Sequence, residues 1–120
     1  MRISRIILFV DDIVSMARFY SETVGAGEHR FESEMFVVFE TDGAELCLHQ
    51  TPEQYRNTNG EYPPREDSNQ KFVFHSDEPL KEHERLVFLG VSMREPVKYG
   101  DLILCDGFDP EGNVFQISNR

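Results

Sequence analysis

An apolar run from Ile3 to Val10, interrupted only by Ser4 and Arg5, reads as a buried strand. Its alternation puts Ile6, Leu8 and Val10 on one face and Ile3, Arg5, Ile7 and Phe9 on the other. Asp11 or Asp12 offers a helix cap, and Ile13, Met16, Tyr20 and Val24 then recur at helical spacing, with Phe19 beside them. Gly25 and Gly27 are suited to end that helix. Met35 to Glu40 predicts a strand, Thr41-Asp42-Gly43 a tight turn, and Ala44 to His49 the returning strand. On this last strand Leu46 and Leu48 face one side, and Glu45, Cys47 and His49 the other.

Thr51 to Asn69 changes character, with Thr51-Pro52, Asn57-Thr58-Asn59-Gly60 and Pro63-Pro64 as turn chemistry. A connection of this length is either functional or a linker. Its Tyr55 and Tyr62 either hang over a pocket or pack on the nearest surface. Regular pattern resumes at Lys71 to Ser76, a strand with Phe72 and Phe74 on one face and Lys71, Val73 and His75 on the other. Asp77 is the expected cap of the next helix, which has Pro79 in its first turn and Leu80, His83, Leu86 and Val87 as its inward stripe. Gly90 ends it. A short strand is expected around Ser92 to Val97 and another at Asp101 to Asp106. The turn Asp109-Pro110-Glu111-Gly112-Asn113 then feeds a final strand in which Val114, Gln116 and Ser118 point one way, Phe115 and Ile117 the other. His29 and His83 read as loop and helix-face residues.

The two halves repeat. Ser4 to Asp12 aligns without a gap on Gln70 to Glu78, and Asp42 to Leu48 aligns on Glu111 to Ile117. Each half reads strand, helix, then two or three strands, an α+β pattern, and two curved halves side by side would give a continuous mixed sheet with a concave cleft, helices outside. The expected boundaries are module 1 at about 1–50, a linker loop at about 51–68 and module 2 at about 69–120, within one domain of 120 residues. A sheet covered by a helix on one face alone needs a partner for the other. If the Ile6, Leu8, Leu46, Leu48, Phe72, Phe74, Phe115, Ile117 set meets the helices, the cleft side carries Arg5, Ile7, Phe9, Cys47, His49, Lys71, Val73, His75, Val114 and Gln116.

Composition narrows the partners. The net charge is −10, and no basic block stands out, which argues against nucleic acid or an anionic membrane. Cys47 and Cys105 have neither disulfide-framework nor zinc-finger spacing. The N-terminal apolar run is too short for a secretory signal and stops at Asp11-Asp12. The expectation is a cytoplasmic protein with two free thiols.

The opening Arg5 to Val10 strand followed by Asp12, Phe19-Tyr20 and Val24-Gly25 in the helix, and the closing Asp109-Pro110-Glu111-Gly112-Asn113 resemble the vicinal oxygen chelate superfamily. Glyoxalase I, extradiol dioxygenases, fosfomycin-resistance proteins and bleomycin-type drug-binding proteins belong to it. The resemblance implies the fold of two tandem βαβββ modules, a homodimer, and a divalent metal held by His, Glu or Gln from the first and last strands of each module. Carried over, those four positions are Arg5, Cys47, Lys71 and Gln116. A guanidinium has no lone pair to donate, and an ammonium has none unless it loses its proton. The set therefore points to loss of the metal and to no cofactor.

The favoured reading is a small-molecule-binding protein like the bleomycin-resistance branch. Its metal-free cleft would take an anionic or oxygen-rich aromatic ligand, with Arg5, Phe9, Cys47, His49, Lys71, His75, Phe108 and Gln116 as ligand-binding residues. Arg5 with Glu45 as an internal ion pair is the bland counterpart. One alternative is a divalent-metal lyase, isomerase or extradiol-type dioxygenase using Glu45, His49 and His75. Another is a non-catalytic dimerisation or regulatory module with a filled cleft.

Overall fold

The computed structural model describes residues 1–120 and divides them into two units, Met1–Glu61 and Tyr62–Arg120. The first unit runs β1 (Arg5–Val10), α1 (Ile13–Arg18), a π-helical continuation (Phe19–Val24), β2 (His29–Ser33), β3 (Phe36–Phe39) and β4 (Glu45–Gln50). Its sheet has the order β1-β4-β3-β2, with β1 parallel to β4 and the other pairs antiparallel. The helix starts where Asp12 accepts a hydrogen bond from Ser15 N at 3.0 Å. It ends at Gly25, whose left-handed backbone (φ 80°) suits glycine. Ile13, Met16, Ala17, Tyr20 and Val24 are its buried stripe, and α1 packs on β3 and β4. Val37, Phe39, Leu46 and Leu48 are buried on the sheet, paired Val37 with Leu48 and Phe39 with Leu46. Burying each such side chain contributes about 1.5–3 kcal/mol.

The second unit runs β5 (Phe72–His75), α2 (Pro79–Phe88), β6 (Ser92–Met93), β7 (Val97–Tyr99), β8 (Leu102–Phe108) and β9 (Val114–Ser118). Its order is β5-β9-β8-β6, and β7 also pairs with β8. Again the first strand is parallel to the last, with antiparallel pairing beyond it. Phe74 meets Phe115 edge-on at 6.4 Å, and Leu86 of α2 is fully buried. The repeat read from the sequence is thus two βαβββ-type modules with mixed sheets and outer helices.

Local details differ from the sequence reading. His29 opens β2 and stacks on Phe39, where a loop was expected. The expected Ser92–Val97 strand is two short pieces, and Asp101–Asp106 is displaced to Leu102–Phe108. Glu78, not Asp77, is the residue before α2, and it makes no side-chain cap; Asp77 lies against His75 instead. The inward stripe of α2 is narrower than expected. Pro79 and Leu86 are buried, while Leu80 and Val87, each one residue on and so rotated by about 100°, are exposed.

The long connection contributes to both units. Thr51 N donates to Val10 O and Asn57 N to Asp11 Oδ2, so its first part belongs with β1. Arg65 N donates to Gly112 O at 2.9 Å, so its second part lies on the closing turn. There Asp109 Oδ1 accepts from Glu111 N, Asn113 N and Asn113 Nδ2. Gly112 is required twice: its φ is 80°, and a Cβ on it would run into the carbonyl of Pro63. No helix is long and apolar enough to cross a membrane.

Candidate functional site

In the first unit the face turned away from α1 carries Arg5, Ile7 and Phe9 on β1, in register with Glu45, Cys47 and His49 on β4. The Arg5 guanidinium reaches Glu45 Oε2 from Nη2 at 2.6 Å and from Nε at 3.1 Å, and lies 5.8 Å from the Phe36 ring. The pair is part-exposed, with 41% of the arginine side chain and 30% of the glutamate accessible. It borders a recess of about 620 Å³ that Arg2 and Thr41 also line. His49 packs between Phe9 at 5.1 Å and Phe36 at 5.7 Å. Cys47 is fully buried. Burial raises its thiol above the ordinary 9.0; Arg5 pulls the other way, and Glu45 adds to the rise. Two residues along one strand span roughly 7 Å, so His49 is no general base for Cys47.

The corresponding face of the second unit carries Lys71 just before β5, Val73 and His75 on β5, Val114 and Gln116 on β9, and Asp106 and Phe108 on β8. Gln116 is paired directly with Asp106, and its Nε2 donates to Asp106 Oδ1 at 2.7 Å. Lys71 Nζ sits 2.8 Å from Asp106 Oδ2. One carboxylate thus ties together two of the positions carried over from the resemblance. Next to it, the Arg94 guanidinium covers the Phe108 ring at 4.8 Å and pairs with Glu66. A recess of about 260 Å³ lies among these groups, lined by Lys71, Arg94, Asp106, Glu66, Phe108 and Val114. His75 stands apart, with Nε2 at 3.1 Å from Asp77.

The sequence reading therefore named Lys71, Phe108 and Gln116 here but missed Asp106, Arg94 and Glu66. Asp106 was placed at the end of a strand, where a charged residue is unremarkable. A two-residue edge strand gives Arg94 no periodicity, and Glu66 lies in a turn.

The donor set does not fit a divalent metal. Arg5 and Lys71 are cations already joined to Glu45 and Asp106. As for the alternative set of Glu45, His49 and His75, no three His, Cys, Asp or Glu side chains are grouped to hold a metal ion. Glu45 and His49 share one face of one strand at four residues' separation, about 13 Å, beyond the reach of a common ion.

Residues 2–117 match the family model described as the Glyoxalase/Bleomycin resistance protein/Dioxygenase superfamily. Among solved structures, a lactoylglutathione lyase from Agrobacterium tumefaciens is 22% identical, with 97% of this chain and 91% of that chain covered at a TM-score of 0.74. A virulence protein from Salmonella typhimurium is 22% identical over 98% and 95% of the two chains, with a TM-score of 0.72. A glyoxalase/bleomycin resistance protein/dioxygenase from Nocardioides is 18% identical over 98% and 82%, with a TM-score of 0.69. At these identities the likeness is one of fold. A search of curated proteins returns no match. The family model spans nearly the whole sequence, and the chain belongs to the glyoxalase/bleomycin resistance protein/dioxygenase superfamily.

Proposed function

We propose that this chain is a metal-free binding protein of the superfamily, holding a small oxygen-bearing aromatic ligand with its own polar side chains. The observation that carries this reading is the Asp106 carboxylate, which accepts from Gln116 and pairs with Lys71. Where family enzymes place metal ligands, these side chains are committed to each other. Lys71 and Arg94 still present N–H donors to a recess that Phe108 and Val114 line with apolar surface, the mixture typical of ligand sites. Two cations face two carboxylates there, so hydroxyls or a single acid group suit the recess better than a polyanion. Lys71 and Phe108 are the proposed contacts in this unit, and Gln116 acts through Asp106. Arg5, Phe9 and His49 are the proposed contacts on the first unit; Cys47 packs beneath them and His75 stays with Asp77.

Sequestration is the proposed activity, as in the drug-binding branch, carried out by a homodimer in the cytoplasm. Ligand-observed NMR against phenols, catechols and aromatic monocarboxylates tests it. The expected result is binding that survives EDTA and weakens about tenfold in Lys71→Met, the loss of one charged hydrogen bond. Binding that needs added nickel, manganese, zinc or ferrous iron would overturn the metal-free role, and a panel without a single binder would overturn the binding role. Light scattering should give twice the chain mass of 14.0 kDa.

A further inference from the structure

Building on that binding role, we infer that the recess of the second unit selects a small aromatic monocarboxylate, whose acid group takes the place of Glu66 on Arg94. The two carboxylates in this recess are held very differently. Asp106 is fixed by Gln116 at 2.7 Å and by Lys71 at 2.8 Å, with 32% of its side chain accessible. Glu66 is 62% accessible and meets Arg94 from a turn closed by the Ser68 N to Arg65 O hydrogen bond. Its side chain can swing away without opening that turn or the Arg65–Gly112 hydrogen bond behind it.

Arg94, by contrast, is preorganised. Its N–H donates to Asp106 O at 2.8 Å, its carbonyl faces His83 Nε2 at 3.0 Å, and its guanidinium lies over Phe108. The contact with Phe108 orients the planar fork, which matches a carboxylate in bidentate geometry. An aromatic body is favoured because the apolar Phe108 and Val114 both border the space. At about 260 Å³ the recess falls below the usual ligand-pocket range of roughly 300–1,000 Å³, so it limits the body to a single ring. Exchange of one carboxylate for another leaves the local charge balance unchanged, which avoids burying an unpaired ion. Glu66 thus acts as an internal competitor that sets the threshold for acid ligands.

The test titrates benzoate and its neutral analogue benzamide into the full chain, followed by amide NMR shifts, in the wild type, Glu66→Gln and Arg94→Gln. Both substituted side chains are exposed, and thermal melts check that the fold persists. Benzoate affinity should rise roughly two- to fivefold in Glu66→Gln, the range expected for removing an exposed pair. It should fall at least about tenfold in Arg94→Gln. Benzamide should be indifferent to Glu66→Gln, and benzoate should shift the Glu66 and Ser68 amides of the wild type. Unchanged or weaker benzoate binding in Glu66→Gln overturns the exchange. Neutral phenols that bind while benzoate does not overturn the selectivity and leave the binding role standing. Absence of every binder overturns both.

Discussion

Gln116 Nε2 donates to Asp106 Oδ1 at 2.7 Å between directly paired residues of β9 and β8, so a neutral amide and a carboxylate fill neighbouring places on one sheet face. Lys71 takes the other oxygen. In the first unit the equivalent cation, Arg5, finds its carboxylate on a different strand, at Glu45 of β4. The repeat has kept the charge pairing while changing its geometry. Asp106→Ala leaves an ammonium and an amide without their partner, and should lower stability by about 1–2 kcal/mol in urea denaturation. Asp106→Asn, which can still accept from Gln116, should cost less. Equal losses for the two substitutions would show that the charge carries the whole effect.

The Arg5–Glu45 pair is about as exposed as Lys71–Asp106 but has no third partner comparable to Gln116. The hydrogen bond to Glu45 is the main reason the Arg5 guanidinium is held above its ordinary value, so it stays charged at every working pH. Glu45→Gln should shift the thermal midpoint less than Asp106→Ala does. A larger shift would place Glu45, rather than Asp106, at the centre of the fold's polar network.

Cys47 and Cys105 are buried free thiols, and burial raises both above the ordinary 9.0. The unfolded chain therefore releases these protons before the folded chain does. Their contribution to stability is complete below about pH 9 and is lost as pH rises through the folded-state values. Urea midpoints at pH 7 and pH 10 should fall more for the wild type than for the Cys47→Ala/Cys105→Ala variant. At pH 8 a thiol reagent should react with the native protein far more slowly than with the denatured chain.

Gly112 joins the closing turn to the segment that precedes β5. Gly112→Ala has to place a Cβ at φ 80° and against the Pro63 carbonyl. It should destabilise the protein by about 2 kcal/mol or more. Gly25→Ala shares the positive φ but has open space around the new methyl group, and should cost only the backbone part, about 1 kcal/mol. Calorimetric melts of the two variants separate conformational strain from the clash.

Periodicity and the internal repeat were enough to define the modules, because a strand with one buried face must alternate and a helix over it must recur every three to four residues. Asp109-Pro110-Glu111-Gly112-Asn113 announced its turn through residues that tolerate few other conformations. The sequence also established that Arg5 and Lys71 are poor metal ligands, since that follows from their chemistry alone. Which carboxylate each cation finds was decided by tertiary structure. Glu45 lies forty residues from Arg5 and Asp106 thirty-five from Lys71, and each comes into reach only through strand register. Arg94 and Glu66 lie in segments too short or too irregular to show a period. Only folding brings them together over Phe108, where the Arg94 guanidinium meets the Glu66 carboxylate.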